Sequence, residues 1–313
     1  MVETLLDSLP SMFENTKNVE TCFGPALQAA FKVMAHIGGK MCIFQGSLPS
    51  LGEGRLKHRE NPRLLGTEKE HTLFHAEEPF YKAKAVEFSK YHVCCELFLT
   101  AAQYTDVAAL SGLSKHTGGQ LYYYPAFNAQ LHAPKLKSEL THCLTRTTGF
   151  EAVMRVRCTR GMRISNFYGN YFIRGTDLLA LPNCHADSTF GVELSYADTV
   201  VSASVISVQA ALLYTTSSGE RRIRVHTIAA PVTTVFNNLF LSADVDAVCN
   251  MQAKVSTSKG VHHAYMRTCV HADMRVSYVF VHASQIPIPD AYLFTIFRLS
   301  FFLLLFSASS DLI

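Results

Sequence analysis

The chain has 313 residues, enough for about two domains with hydrophobic cores of their own. Hydrophobic residues make up 48% and charged residues 17% of the sequence, which argues against wholesale disorder and against a polytopic membrane protein. The 28 basic and 25 acidic residues leave a net charge of +3. That balance excludes a protein that mainly coats nucleic acid, so no nucleic-acid partner is expected.

Cysteine usage favours a reducing compartment. The nine cysteines are scattered without a C-x-x-C pair, and the opening residues MVETLLDSLP lack the basic and apolar regions of a secretory signal. Disulfide frameworks belong to small secreted domains and oxidising compartments. We therefore expect reduced thiols and a cytoplasmic protein.

Residues 25–125 alternate between helical and strand-like patterns. Three helix-then-strand units are predicted, with helices at Pro25–His36, about Phe80–Lys90 and about Asp106–Lys115, and strands at Met41–Gln45, Val93–Thr100 and Gln120–Tyr124. Glycine pairs follow the first and third helices and are typical helix stops. Consecutive units of this kind favour an α/β domain with a parallel sheet and helices on both of its faces.

A polar segment of more than 30 residues, about Gly46–Pro79, separates the first predicted strand from the second helix. Structureless loops of that length are uncommon in compact domains. The segment is therefore either a surface excursion with its own packing or a binding loop.

From about residue 149 to residue 231 the pattern changes to strand-like alternation with turn signals, typical of an antiparallel β region. In MRVRCT (154–159) apolar residues alternate with Arg155 and Arg157, so these two arginines share one strand face. Planar guanidinium groups on a rigid strand suit the binding of carboxylates.

A β-hairpin is predicted from Ile206–Thr216 and Glu220–Ala229, joined by a Ser-Ser-Gly turn. Its second strand should bury one alternate set of side chains and expose the other, with Ile223, Val225 and Thr227 inside and Arg222, Arg224 and His226 outside. The four arginines on strands would then form a basic surface. It is either an anion-binding site or a solvated face with ion pairs to Glu151 or Glu220.

Helical spacing returns from Asn237 to about Val255. Further on, residues 291–308 (AYLFTIFRLSFFLLLFSA) form an apolar run with Arg298 near its middle. The run only just meets the length needed to cross a bilayer, and a central arginine costs about 2.5–3.5 kcal/mol on insertion scales. At most it is a marginal tail anchor.

No pattern in the sequence indicates catalysis. The chain lacks G-x-x-x-x-G-K-[ST], G-x-G-x-x-G, G-x-S-x-G and H-E-x-x-H motifs. His71 and His75 stand four apart without a third ligand, and Cys94 with Cys95 fit a buried strand as core thiols. Neither a catalytic nor a metal site is predicted.

A series of ordered sequence blocks resembles the Sec24 family, the cargo-adaptor subunits of the COPII inner coat. The blocks are collinear from about Phe23 to Lys254 and read FGPALQAAFK, IFQGSLPSLGEGRLKHRE, GTEKEHTLF, FYKAKAVEFS, CCELFL, QYTDVAALSGLSKHTGGQLYYYPAF, GFEAVMRVRCTRGMRISNFYGNYFIRGTDLLALP, QAALLYTTSSGERRIRVHTIAAPV and SADVDAVCNMQAK. Such a string of blocks is far more specific than a single short motif.

The resemblance implies an α/β plus all-β chain. Residues 1–125 would be the C-terminal half of a trunk domain similar to von Willebrand A domains, with a parallel sheet. Residues 126–235 would be the larger part of an antiparallel β-sandwich, and residues 236–255 the start of a helical domain. Residues 256–313 resemble no part of the family.

The resemblance also implies a non-enzymatic function in transport from the endoplasmic reticulum to the Golgi. Family members bind sorting signals in the cytosolic tails of membrane cargo, including SNAREs. The implied partners are the sister subunit Sec23, cargo and SNARE tails and, indirectly, the Sar GTPase and the outer coat. The implied location is cytoplasmic, peripheral on the membrane at endoplasmic reticulum exit sites and on COPII vesicles.

Carried over residue by residue, the resemblance implies that Arg155, Arg157 and Leu213 form a pocket for acidic sorting signals. Charge-assisted hydrogen bonds from the arginine pair to a peptide carboxylate would hold the signal. Arg222 and Arg224 are a candidate supporting basic face.

Other parts of the family pattern are missing from this sequence. The four-cysteine zinc finger and the first half of the trunk lie upstream in relatives, so no structural zinc and no other cofactor is expected here. One hypothesis is a fragmentary or mispredicted gene product whose last exon is wrong. The alternatives to a working coat subunit are a truncated or membrane-tethered non-functional remnant and a soluble α/β enzyme.

Overall fold

The structure is a computed structural model, and it describes residues 2–67, 69–175, 177–197, 203–246, 249, 251, 280–281 and 293–294. The helices are α1 (Val2–Met12), α2 (Phe23–Met34), α3 (Phe80–Lys90), α4 (Val107–Thr117), α5 (Ala129–Thr145) and α6 (Phe236–Ser242). The strands are β1 (Gly39–Gln45), β2 (Val93–Leu99), β3 (Leu121–Tyr123), β4 (Thr148–Cys158), β5 (Met162–Tyr168), β6 (Phe172–Arg174), β7 (Leu178–His185), β8 (Gly191–Tyr196), β9 (Val205–Thr215), β10 (Arg221–Thr233), β11 (Phe280–Val281) and β12 (Leu293–Phe294).

The N-terminal part is an α/β unit with a parallel sheet in the order β1-β2-β3. Every residue of the central strand β2 is buried. Alternate strand side chains point to opposite faces, so the sheet has a core on each side. Helices α2, α3 and α4 pack on one face, and α5 packs on the other, where it covers Phe98. The predicted parallel sheet with its three preceding helices is confirmed.

Helix α4 begins and ends at the residues that its sequence signals favour. The carboxylate of Asp106 caps the start by accepting a hydrogen bond from the backbone N–H of Ala109 at 3.0 Å. Gly118 ends the helix in the left-handed conformation at φ 73°. The following Gly119 lies so close to β2 that a Cβ there would be 2.0 Å from the carbonyl oxygen of Cys95. A glycine is therefore required at position 119.

The long polar segment 46–79 packs on the α/β unit and contains two 3₁₀ helices, Pro62–Leu64 and Glu70–Phe74. Arg59 donates to both carboxylate oxygens of Asp106, at 2.7 and 2.9 Å. The hydroxyl of Tyr81 donates to the carbonyl oxygen of Gly54 at 2.6 Å, and Leu56 is buried. These contacts support the surface excursion with its own packing.

Helix α5 was not predicted from the sequence. Asn128 caps its start by accepting a hydrogen bond from the N–H of Gln130. The helix contains Pro134, which is unfavourable inside helices, and Cys143 is its only fully buried residue among those described. A helix with so narrow a buried face has weak periodicity, which explains why the pattern was missed.

Residues 148–233 form a β-sandwich. One sheet has the order β12-β10-β9-β4-β7-β6 and the other the order β11-β8-β5. All neighbouring strands are antiparallel except β11 and β8. Two clusters of buried side chains, around Ala210 and Leu212, fill the space between the sheets. The predicted antiparallel region and the β9–β10 hairpin are confirmed.

The predicted orientation of β10 is wrong. Ile223 and Val225 are 68% and 53% exposed, whereas Arg224 and His226 are half-buried. The cross-strand register explains the difference, because Ile223 lies opposite the half-buried Leu213 and Arg224 lies opposite the buried Leu212. Paired residues share a face of the sheet, so β9 dictates which side chains of β10 point inward.

The C-terminal predictions are tested only in part. Helix α6 covers the start of the expected helical segment, and residues 252–255 lie outside the described residues. Of the apolar run 291–308, only Leu293 and Phe294 are described, as β12. Among the described residues, no helix combines the length and the apolarity needed to cross a membrane.

Candidate functional site

The predicted site residues Arg155, Arg157 and Leu213 lie on neighbouring strands of the six-stranded sheet. In the β4–β9 register, Arg155 is opposite Ala211, Arg157 is opposite Gln209, and Val153 is opposite Leu213. The three residues therefore share one face, which points away from the three-stranded sheet. We call this face, with Ile223 and Val225 of β10, the outer face.

Arg155 is held in place by an ion pair. Its Nε and Nη2 atoms lie 2.8 and 2.7 Å from Oδ2 of Asp177, in the segment that leads into β7. The side chains of Arg155 and Asp177 are 47% and 38% exposed. An ion pair this exposed is weak, so Asp177 orients the guanidinium group without locking it away from other anions.

Arg157 is different because its charge is not compensated within the described part of the chain. The side chain is exposed, and no ion pair or hydrogen bond joins it to another described residue. It stands two residues from Arg155 on the same strand face. The pair thus presents one oriented and one available guanidinium group.

An apolar strip lies beside the two arginines on the outer face. Leu213 is opposite Ile223, and Ala211 is opposite Val225. Ile223 and Val225 are among the most exposed large hydrophobic residues of the sandwich. Sequence reasoning missed both because it placed them in the core. The combination of cationic groups with exposed aliphatic side chains suits a peptide that carries both an acidic and an apolar residue.

Arg222 and Arg224 are not brought to the outer face. Arg224 is opposite the buried Leu212, and its Nε donates to the hydroxyl of Tyr214 at 3.1 Å. The hydrogen bond and charge of Glu220 raise the pKa of Arg222, whose Nε lies 2.9 Å from Oε2 of Glu220. These two arginines thus lie on the opposite side of β10 from Ile223.

The two glutamates that the sequence suggested as cross-strand partners form ion pairs, but not as predicted. Glu220 pairs with Arg222 two residues further along the chain, and Glu151 pairs across the strands with Arg221, which was not one of the four predicted arginines and whose Nη1 lies 3.5 Å from Oε2. The solvated-face interpretation therefore applies to Arg222 and not to the half-buried Arg224. Arg157, by contrast, has no such partner among the described residues.

A β-bulge in β4 sets its register with β9. Glu151 has a φ of 49°, and the pairing of β4 with β9 shifts by one residue between Phe150 and Val153. The pairing of β4 with β7 continues through this point without a shift. The bulge therefore determines which residues of β9 lie opposite Arg155 and Arg157, and no turn residue in the sequence indicates it.

The strand that carries the arginines is attached to the α/β unit by a buried polar cluster at Arg146, just before β4. Arg146 Nη2 lies 2.6 Å from Oε1 of Glu96 in β2, and both side chains are almost fully buried. Arg146 Nη1 donates to Oε1 of Gln120 at 2.6 Å and lies 3.3 Å from Oδ2 of Asp187. The backbone N–H of Gln120 donates to the other oxygen of Glu96 at 2.8 Å.

Two further side chains show the electrostatics of this cluster. Burial and the positive charge of Arg146 lower the pKa of His185 to about 3, so the ring is neutral at physiological pH. Asp187 also accepts a hydrogen bond from His142 at 2.7 Å. Burial opposes ionisation of Asp187, but the contact with His142 and the charge of Arg146 outweigh it and lower the pKa of this carboxyl.

Within the described ranges, no three His, Cys, Asp or Glu side chains are grouped so that they could hold a metal ion. His71 lies in the second 3₁₀ helix and His75 directly follows it, and no third ligand joins them among the described residues. What the outer face can do is bind, by charge and by apolar contact.

Two family models match this chain. The Sec23/Sec24 trunk domain matches residues 1–144, and the Sec23/Sec24 beta-sandwich domain matches residues 149–233. Among curated proteins, "Protein transport protein SEC24 A" of Arabidopsis thaliana is 48% identical over 262 residues, covering 83% of this chain and 25% of that protein. Human "Protein transport protein Sec24A" is 44% identical over 265 residues, covering 83% of this chain and 24% of that protein.

The fold is also similar to a solved structure. The crystal structure of the human COPII-coat protein Sec24c superposes with a TM-score of 0.78 at 35% sequence identity, covering 83% of this chain and 36% of that one. The chain spans about a quarter of the length of the curated relatives it matches. The match therefore covers the two domains described above and not the whole length of those proteins.

Proposed function

The chain belongs to the Sec23/Sec24 family, and we propose on that basis that it works in protein transport as a cargo adaptor of the COPII coat. In this role it binds sorting signals in the cytosolic tails of membrane cargo, SNAREs included, that leave the endoplasmic reticulum. It performs no reaction and needs no cofactor for this binding. The comparisons do not favour the two alternatives, a tethered remnant and a soluble enzyme.

One feature of the structure, the outer face, supports the proposal at the level of single residues. The outer face combines the available guanidinium group of Arg157, the oriented one of Arg155 and an aliphatic strip at Leu213. An acidic residue of a sorting signal would accept hydrogen bonds from Arg157, and an apolar residue of the same peptide would cover Leu213. Charged hydrogen bonds of this kind contribute roughly 1.5–3 kcal/mol when one partner is ionised.

The two arginines have unequal parts in this interaction. A peptide carboxylate approaching Arg155 competes with Asp177, which already occupies Nε and Nη2. Nothing among the described residues competes for Arg157. Arg157 is therefore the main anchor, and Arg155 adds positive potential and a second donor.

The experiment is a titration of an acidic signal peptide by calorimetry, with wild-type chain and three arginine variants. Arg157→Ala should weaken binding about 10-fold or more, and Arg155→Ala by a smaller factor. Arg222→Ala is the matched control, because it removes the same charge from the opposite side of β10 and should leave the affinity within about twofold. Equal losses for Arg157→Ala and Arg222→Ala would mean that only net charge matters and would remove the site.

The partners follow from the same proposal. They are the Sec23 sister subunit and the cytosolic tails of membrane cargo and, indirectly, the Sar GTPase and the outer coat. The protein would act on the cytoplasmic surface of the endoplasmic reticulum at exit sites and on the vesicles formed there. Co-purification of tagged chain with Sec23 from cytosol tests this part, and recovery of the chain without Sec23 would contradict it.

A further inference from the structure

Two cysteines far apart in the sequence meet between β1 and α5. Cys42 lies on β1 and is half-buried, and Cys143 lies in the last turn of α5 and is fully buried. The two side chains belong to one packed cluster, and each thiol acts on the pKa of the other. Both belong to the cluster around Phe98 and Tyr124, which covers this face of the parallel sheet.

The thiol pair lies among charged groups. Lys40, two residues before Cys42 on the same strand face, donates from Nζ to the carbonyl oxygen of Cys143 at 2.7 Å. The positive charges of Lys40 and Arg146 favour a thiolate at Cys143, and the negative charge of Glu96 opposes it. A thiolate is the reactive form of cysteine, so cations beside a thiol raise its reactivity.

We propose that Cys42 and Cys143 form a peroxide-sensitive dithiol that closes into an intramolecular disulfide between β1 and α5. Packing in one cluster, and the contact of Lys40 on β1 with the carbonyl oxygen of Cys143 at 2.7 Å, hold the two cysteines near each other before any oxidation takes place. The half-buried Cys42 leaves a route for a small oxidant to the pair. Transient, redox-sensing disulfides of this kind are the ones found in reducing compartments.

The chemistry balances with hydrogen peroxide as the oxidant. The Cys143 thiolate attacks one oxygen of the peroxide, the O–O bond breaks, hydroxide leaves, and Cys143 becomes a sulfenic acid. The Cys42 sulfur then attacks the Cys143 sulfur as its own proton leaves, an S–S bond forms, and the S–O bond breaks. The leaving hydroxide takes up that proton. Two thiols and one peroxide thus become one disulfide and two waters.

The pKa values of the cysteines agree with this assignment. The hydrogen bond from Cys42 lowers the pKa of Cys143 to about 7, while burial and Glu96 act in the opposite direction. That hydrogen bond and burial raise the pKa of Cys42, so Cys143 is the thiol of the two that ionises first. Burial raises the pKa of the Cys184 thiol to about 12, although a hydrogen bond to Ser188 acts in the opposite direction. The fully buried thiols Cys94, Cys95 and Cys184, whose pKa values are raised, should therefore react less than Cys143.

The disulfide would act on the connection between the two domains. Cys143 stands three residues before Arg146, whose bonds to Glu96 and Asp187 join β2 to the sandwich. A link from β1 to the last turn of α5 closes a loop of about 100 residues and restricts the end of the helix that leads into β4. Oxidation would thereby stiffen the base of the strand that carries Arg155 and Arg157.

The test uses the purified 313-residue chain, treated with a small excess of hydrogen peroxide at pH 7. Free thiols are then alkylated, and the chain is digested without reduction for mass spectrometry. The expected result is a linked Cys42–Cys143 peptide pair, lighter by two hydrogen atoms and released by a thiol reductant. The oxidised chain should melt about 5 °C higher than the reduced one.

Two variants provide the controls. Cys22→Ala removes an exposed cysteine and should leave the linked peptide unchanged, whereas Cys42→Ala removes one of the two partners and should abolish it. Free, alkylatable Cys42 and Cys143 after peroxide treatment of the wild-type chain would overturn the proposal. Disulfides that join Cys22 or Cys249 to other positions as often as Cys42 to Cys143 would do so as well.

Discussion

The ion pair between Arg146 and Glu96 is the contact at the junction of the two domains whose loss should cost most. Glu96 is fully buried, the Arg146 side chain is 2% exposed, and their closest atoms are 2.6 Å apart. Arg146→Met keeps an unbranched apolar chain of similar length but removes the charge. It leaves the Glu96 carboxylate with the N–H of Gln120 as its remaining hydrogen-bond donor among the described residues.

The expected cost follows from the burial of both groups. Breaking a buried pair by removing one partner typically costs about 3–5 kcal/mol, because an uncompensated charge stays in the interior. The side chain of Arg146 also donates to Gln120 at 2.6 Å, and loss of that bond adds about 1 kcal/mol. We therefore expect Arg146→Met to lower the free energy of unfolding by about 4–6 kcal/mol.

Urea denaturation followed by circular dichroism measures this change, and two further variants calibrate it. Arg155→Met breaks the half-exposed pair with Asp177 and should cost less than about 1 kcal/mol. Adding Glu96→Gln to Arg146→Met removes the orphaned charge and should recover about half of the loss. A cost below about 1 kcal/mol for Arg146→Met, or no recovery in the double variant, would refute the reasoning.

Three further predictions follow from the site and its support. Asp177→Asn frees the guanidinium group of Arg155 from its ion pair, so calorimetry should give an acidic peptide a severalfold higher affinity; a lower affinity would show that Asp177 is needed to orient Arg155. The pKa of His185 is about 3 in the folded chain and about 6.5 in the unfolded one. Between about pH 3 and pH 6.5, His185 therefore carries a proton in the unfolded state that it lacks in the folded state. Stability should thus be fully present above about pH 6.5 and fall by up to about 1.4 kcal/mol per pH unit towards pH 3, and urea titrations of His185→Gln should show a flatter profile over that window than wild type. Gly119→Ala would place a Cβ 2.0 Å from the Cys95 carbonyl oxygen and should destabilise the chain by several kcal/mol in thermal unfolding, whereas Gly66→Ala, which meets no atom within 4 Å, should cost only its backbone strain, about 1 kcal/mol.

The α/β unit was predictable because its signals are local. Helix α4 has a cap and a stop at its own ends, Asp106 and Gly118, and β2 is apolar enough to be recognised as a buried strand. Helix α5 was missed because Pro134 and a narrow buried face weaken its pattern. Sequence signals identify a helix only when its ends and its buried face follow the usual pattern.

The candidate site was predictable only where it depends on one strand. Arg155 and Arg157 are two residues apart, and the period of a strand puts them on one face without further information. Whether β10 adds its arginines or its aliphatic residues to that face depends on the register with β9, where Leu213 meets Ile223. A cross-strand register is a long-range property, and the bulge at Glu151 shifts it again.

The most direct test of the account is to map where an acidic signal peptide lies on the chain. A peptide with a photoreactive benzophenone next to its acidic residue is irradiated with the chain, and the cross-linked residues are identified by mass spectrometry. The account predicts cross-links to the outer face, at Ala211, Leu213 or Val225, which disappear in Arg157→Ala. Cross-links that fall instead on the cleft lined by Lys115, Tyr122 and Asn170, and that persist in Arg157→Ala, would contradict it.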